Sequence, residues 1–120
     1  MTPDGPLGSF EEQVLLAVIR TGRAPDGDGA YGMAVRRELE DVTGRDVTIG
    51  AVYATLDRLE AKGLAASARG ETAAGESRRL FSVTHQGARA LASSREMRDR
   101  LWRGVNLVSL LSGTVPSRGA

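Results

Sequence analysis

Apolar residues recur at helical spacing in four stretches of the chain, and the first begins at Ser9. Phe10, Val14, Ala17 and Val18 share one face, widened by Leu15 and Ile19, which predicts a largely buried helix ending at Gly22. Ser9 and Glu12 have the spacing of a capping box at its start. The stretch Arg23–Gly29, R-A-P-D-G-D-G, is a turn-rich connector in which continued helix is disfavoured. A second helix is predicted over Ala30–Thr43. Met33, Ala34, Val35, Leu39 and Val42 point inward, Arg36, Arg37, Glu38, Glu40 and Asp41 face water, and Gly44 ends it. The third helix follows after only Gly44–Val47, with Thr48 as its N-cap and Gly63 as its left-handed stop. Ile49, Val52, Leu56 and Leu59 form its apolar stripe. So short a join lets the second and third helices cross at a steep angle, as in a helix-turn-helix.

Past Gly63 the period changes. Leu64–Arg69 and Arg78–Val83 are predicted strands around a loop, Gly70–Ser77, and together they make a β-hairpin. Alternation places Arg79, Phe81 and Val83 on one face of the second strand and Arg78, Leu80 and Ser82 on the other. Thr84 caps a last helix predicted from Gln86 to about Leu111 and weakened at Gly104. Ala88, Leu91 and Ala92 return its first part to the core, and Ser93–Glu96 is polar. A second stripe of Met97, Leu101, Val105 and Val108, with Trp102 beside it, begins at another rotational phase. Glu96 with Arg100 and Asp99 with Arg103 are favourably ordered four-apart pairs on the exposed side. A stripe that outruns its own domain needs a partner, and the simplest is the same helix of a second copy. The element order gives a mainly α (α+β) fold, a winged helix-turn-helix with a β-hairpin wing and a C-terminal dimerisation helix. Its expected divisions are a flexible arm at 1–8, the winged-helix domain at 9–92, the dimerisation helix at 93–112 and a flexible tail at 113–120.

Composition narrows the function. A chain of 120 residues has room for one small domain, and with 41% hydrophobic but 4% aromatic residues its core must be aliphatic. Without cysteine there is no disulfide framework and no thiolate chemistry. No stretch approaches the roughly 20 apolar residues that span a bilayer, so a cytoplasmic protein with no membrane association is expected. The carboxylates form no recognisable acid and base pair, and the glycines follow no phosphate-loop or dinucleotide pattern. His85 is the sole histidine and reads as a surface residue. No enzyme activity, metal or cofactor is expected. The formal charge of +1 is too small to argue for nucleic acid, so the placement of cations must do so.

That placement centres on the third helix. Its outer face carries Gly50, Ala51, Ala54 and Ala61, then Arg58 and Lys62. Small residues let a helix axis approach another surface, and the cations suggest an anionic one. Tyr53, at the edge of the stripe, can pack its ring inward and reach a phosphate with its hydroxyl. Thr48 and Thr55 can donate to a phosphate or base edge, and Ala51 or Ala54 can offer a methyl to thymine. Arg58 suits a bidentate base contact or a phosphate, and Arg78 and Arg79 are wing candidates, one of which can instead pair with Glu76 or another surface carboxylate. If Arg58, Lys62, Arg78 and Arg79 each meet one phosphate, a dimer makes about eight contacts and log affinity falls with log salt at a slope of roughly −7. The competing readings are an Ala-rich solvated helix and a winged-helix module that binds protein.

Three segments go further: A-Y-G-M-A-V-R-R-E-L at Ala30–Leu39, T-I-G-A-V-Y-A-T-L-D-R-L-E-A-K-G-L at Thr48–Leu64, and R-R-L-F-S-V-T-H-Q-G at Arg78–Gly87. They resemble the PadR family of bacterial transcriptional regulators, over about Ser9–Ala92. The resemblance implies a homodimeric repressor that binds a near-palindromic double-stranded DNA operator. The third helix enters the major groove, the wing touches the flanking backbone and the last helix dimerises. In some relatives a tryptophan on that helix stacks flat ligands at the dimer centre, so the resemblance makes Trp102, near Met97, a candidate seat for a small aromatic or cationic effector that releases DNA, the alternative being a tryptophan packed in the dimer interface. The chain departs from the family's pattern in three places. Ala54 stands where Pro is frequent, the wing reads G-E-S-R-R with acidic Glu71 and Glu76, and the final helix is short.

Overall fold

The computed structural model describes residues 7–25 and 27–113. Among the described residues, five helices and two strands follow in the order α1 (Ser9–Gly22), α2 (Gly32–Thr43), α3 (Ile49–Ala61), β1 (Ala65–Glu71), β2 (Ser77–Val83), α4 (His85–Trp102) and α5 (Val108–Leu111). Most of the predicted arm, residues 1–6, and all but the first residue of the predicted tail, residues 114–120, lie outside the described residues. Leu7, assigned to the arm by the sequence, packs against the core.

The core is aliphatic, as so few aromatics require. Val14, Leu15 and Val18 of α1, Val35 and Leu39 of α2, Val52, Leu56 and Leu59 of α3, Leu64 before β1 and Phe81 of β2 are all buried. The N-terminus of α1 is capped one residue earlier than predicted. Glu11, not Glu12, turns back to accept the Gly8 N–H at 3.0 Å, which leaves Glu12 free to pair with Arg98 of α4. Helix α2 starts two residues later than expected. Ala30 stays outside the helix and buried, and its carbonyl accepts the Phe81 N–H at 2.8 Å, tying the α1–α2 loop to the hairpin. Val42, assigned to the core face of α2, is 62% exposed in the helix's last turn, next to its end at Thr43.

Helix α3 has the predicted ends. Thr48 accepts the Ala51 N–H at 3.1 Å, and Gly63 adopts φ +79° just past the C-cap. The hairpin is antiparallel, from Ala65 opposite Val83 to Glu71 opposite Ser77, so each strand reaches further towards the tip than its composition suggests. Its loop closes on itself, with the Thr72 N–H donating to the Glu76 carbonyl at 2.9 Å and the Glu76 N–H to Thr72 Oγ1 at 3.1 Å.

Thr84 caps α4 by accepting the Gly87 N–H at 3.0 Å. Gly87, Leu91, Ser94 and Arg98 then follow at helical spacing on the side that meets the body of the domain: Gly87 and Ser94 are buried, Leu91 packs on the core and Arg98 reaches Glu12. Ala88 and Ala92, predicted for that role, are exposed. The helix is also shorter than predicted. It ends at Trp102, Gly104 turns the chain at φ +79°, and only one further turn, α5, forms. A left-handed residue cannot continue a helix, so Val105 and Val108 do not extend the stripe of Met97 and Leu101. The Glu96–Arg100 pair forms at 3.8 Å, whereas Arg103, already outside the helix, makes no ion pair among the described residues. No described helix is long and apolar enough to cross a membrane.

Candidate nucleic-acid interface

Two features of the sequence set the outer face of α3: a stripe that buries Val52, Thr55, Leu56 and Leu59, and small residues at Gly50, Ala51, Ala54 and Ala61. Gly50, Ala51, Ala54 and Ala61 are exposed, and Thr48 lies in the open at the helix start. Tyr53 is 37% exposed, at the edge between buried and open faces as its position predicts. Its ring lies against Gly32 at the start of α2, so closely that a Cβ on Gly32 would clash with the Tyr53 Cζ and hydroxyl. Thr55 does not share this outlook. It is 2% exposed, and its hydroxyl accepts from Arg58 Nη2 at 3.3 Å, so it presents no surface to a ligand.

The four cations expected to face phosphate all lie against carboxylates. Lys62 Nζ is 2.9 Å and Arg58 Nε 3.5 Å from Glu11 Oε2. Glu11 is thus the node that binds the start of α1 to the end of α3. Burial alone would raise its pKa. The Lys62 hydrogen bond, the Gly8 N–H and the charges of Lys62 and Arg58 outweigh that and hold it below the ordinary carboxylate value. Arg79, on the wing, reaches α3 and contacts Asp57 Oδ1 at 3.0 Å and Glu60 Oε1 at 2.5 Å. Arg78 turns the other way, as strand alternation predicts. Its guanidinium lies 3.9 Å from the centre of the Tyr31 ring, with Glu76 at 3.5 Å. Its Nε is enclosed without a hydrogen-bond partner among the described residues.

Between α3, the start of α2 and the wing runs an open cleft of about 300 Å³, lined by Tyr31, Met33, Tyr53, Arg69, Ser77, Arg78 and Arg79. Two of these, Arg69 and Tyr31, were not singled out by the sequence. Arg69 is exposed, sits opposite Arg79 in the hairpin register and makes no ion pair among the described residues. Only the register brings it there, since it is ten residues from Arg79 in the chain. Tyr31 is placed by the late start of α2, and its hydroxyl accepts from Arg37 Nη1 at 3.3 Å. The arrangement is a row of small residues flanked by a tyrosine and an arginine-lined groove, suited to holding a polyanion.

Remote from the cleft, Met97, Leu101, Trp102, Val105 and Val108 are between 37% and 70% exposed, and Leu107, Leu110 and Leu111 join them. The five residues expected at a dimer interface therefore lie open on the isolated chain.

A family model described as the transcriptional regulator PadR-like family matches residues 24–93, more than half of the chain. A comparison with curated proteins finds no match. Among solved structures, a PadR-like transcriptional regulator from Bacillus cereus is similar with a TM-score of 0.68 at 18% identity, over 82% of this chain and 89% of that one, a likeness of fold. A PadR family transcriptional regulator from Eggerthella lenta is similar with a TM-score of 0.59 at 26% identity, over 82% and 80%. RosR of H. salinarum is similar with a TM-score of 0.63 at 25% identity, over 83% and 81%.

Proposed function

Because the chain belongs to the PadR-like family of transcriptional regulators, we propose that it is a homodimeric repressor that reads a near-palindromic operator with α3 and grips the flanking backbone with the wing. The observation that carries this reading is the outer face of α3 beside the arginine cleft. Gly50, Ala51 and Ala54 leave the helix axis free to approach base edges, with alanine methyls available to thymine. Tyr53 faces one flank, while Arg69 and Arg78 line the groove beyond it. A module that binds protein would need large apolar residues on that face, and among its exposed positions only Tyr53 is large and apolar. The base contacts are few, so backbone contacts and dimer symmetry supply much of the affinity. The open apolar residues near the C-terminus meet those of a second copy, and a flat aromatic effector would stack on Trp102 beside Met97 at that junction.

The test is a fluorescence titration of a duplex from the gene's own upstream region against a scrambled duplex, over a range of salt. Selective binding that weakens with salt is expected. Failure to bind either duplex at low salt, with and without aromatic ligands, would overturn the reading.

A further inference from the structure

The arginines of the cleft divide by what they already hold. Among the described residues, Arg69 has no ion pair, and Arg78 stacks on Tyr31 and pairs at 3.5 Å only with Glu76, a carboxylate that is itself exposed. Arg79 is engaged through all three of its nitrogens. Nε donates to Ser67 Oγ at 3.1 Å, Nη2 contacts Glu60 at 2.5 Å and Nη1 contacts Asp57 at 3.0 Å. Ser67 Oγ in turn donates to Glu60 Oε2 at 2.9 Å. One guanidinium thus joins β2, β1 and two residues one turn apart on α3. Behind it, the group lies 4.7 Å from the centre of the ring of Phe81, the buried residue of β2 in the core. Hydrogen bonding to Glu60 raises the Arg79 pKa, and Glu60, bonded to Ser67 and Arg79, has its own lowered.

Two physical points say what such an arrangement is for. Arg69 and Arg79 sit directly opposite in the register, a like-charge pair that destabilises a hairpin unless one charge is taken up elsewhere. The carboxylates of α3 take up Arg79. Asp57, moreover, lies on the exposed side of α3, where an uncompensated carboxylate would repel a phosphate backbone. The Arg79 fork neutralises it, which a flexible ammonium could do only as a point charge.

We propose that Arg79 is a positioning residue, a latch that fixes the angle between the wing and α3, and that Arg69 and Arg78 are left to meet phosphate. The latch itself stands on the geometry; its consequence for affinity rests on the DNA-binding reading. A contact residue and a latch respond differently to two changes. Arg79→Lys keeps the charge but loses the fork, and Arg79→Gln loses both. For a latch, both variants weaken operator binding to a similar degree and leave the salt slope unchanged. Amide hydrogen exchange in both wing strands speeds up in the variants with no DNA present. For a phosphate contact, Arg79→Lys retains affinity, and Arg79→Gln lowers the magnitude of the slope by about two per dimer. Wild-type binding of Arg79→Lys, a reduced slope for Arg79→Gln, or unaltered wing exchange would each overturn the proposal. If the wild type binds no DNA, the repressor reading fails, and the exchange measurement still decides the latch.

Discussion

Tyr53 owes its position to a residue without a side chain. Its ring occupies the space above Gly32, so Gly32→Ala sets a gain in helix propensity against a steric clash. Overpacking of this kind costs about 1–3 kcal/mol, so a lower unfolding temperature is expected, together with weaker operator binding as Tyr53 swings out of the cleft. Melting curves and anisotropy titrations of the variant read both effects. Glu11 gives a second prediction at this scale. Its pKa is lowered in the fold, so its contribution is full at pH values above its ordinary value of 4.5 and is lost as the pH falls through the lower, folded value. Wild type should therefore lose stability more steeply than Glu11→Gln as the pH drops below 4.5, with the two converging in acid. Parallel denaturant curves from neutral to acidic pH measure the difference, and a constant gap would contradict the Glu11 node.

Among the elements, α3 is the best specified. A good N-cap, a stripe at period 3.6 and a glycine stop all agree, and Leu56 at its centre is fully buried. Leu56→Ala should cost about 2–5 kcal/mol, visible as a shifted denaturation midpoint. The wing was legible as a hairpin from its loop, but its register was not, because alanine-rich β1 offers no alternation to align. That is why Arg69 escaped notice although Arg78 and Arg79 did not. Arg69→Gln should lower the magnitude of the salt slope by about two per dimer with unchanged melting. Helix α4 shows how a stripe can mislead. Ala88 and Ala92 look apolar in the sequence, but Gly87 and Ser94 are small enough for close approach and Arg98 finds Glu12, so the buried face is rotated from the one hydrophobicity selects.

At the scale of the whole molecule, the described chain measures 64 × 36 × 25 Å with a radius of gyration of 18.0 Å. A compact domain of this length would have about 14 Å, and the excess fits the end of α4 and α5 reaching beyond the core with their apolar residues open. Trp102 is the sole tryptophan and lies within this region. If this region forms the proposed dimer contact, its emission should shift to the red on dilution, and Leu101→Glu should show the red emission at all concentrations. Sedimentation of the same samples would confirm the change of mass. With Lys62 and Arg58 on the largely buried Glu11 and Arg79 held on α3, and with Arg69 unpaired and Arg78 beside only the exposed Glu76 among the described residues, the salt slope of the proposed dimer should be about −4, not the −7 of four free cations per protomer. The sequence by itself determined the order of the first four helices, the caps of α3 and α4, the hairpin and the aliphatic core, because these follow from local periodicity and backbone preference. Only the tertiary structure decided which charges are free and which face of α4 is buried. Ion pairs such as Lys62 with Glu11 join residues far apart in the chain, and no local pattern records which surface a side chain will meet once the helices cross.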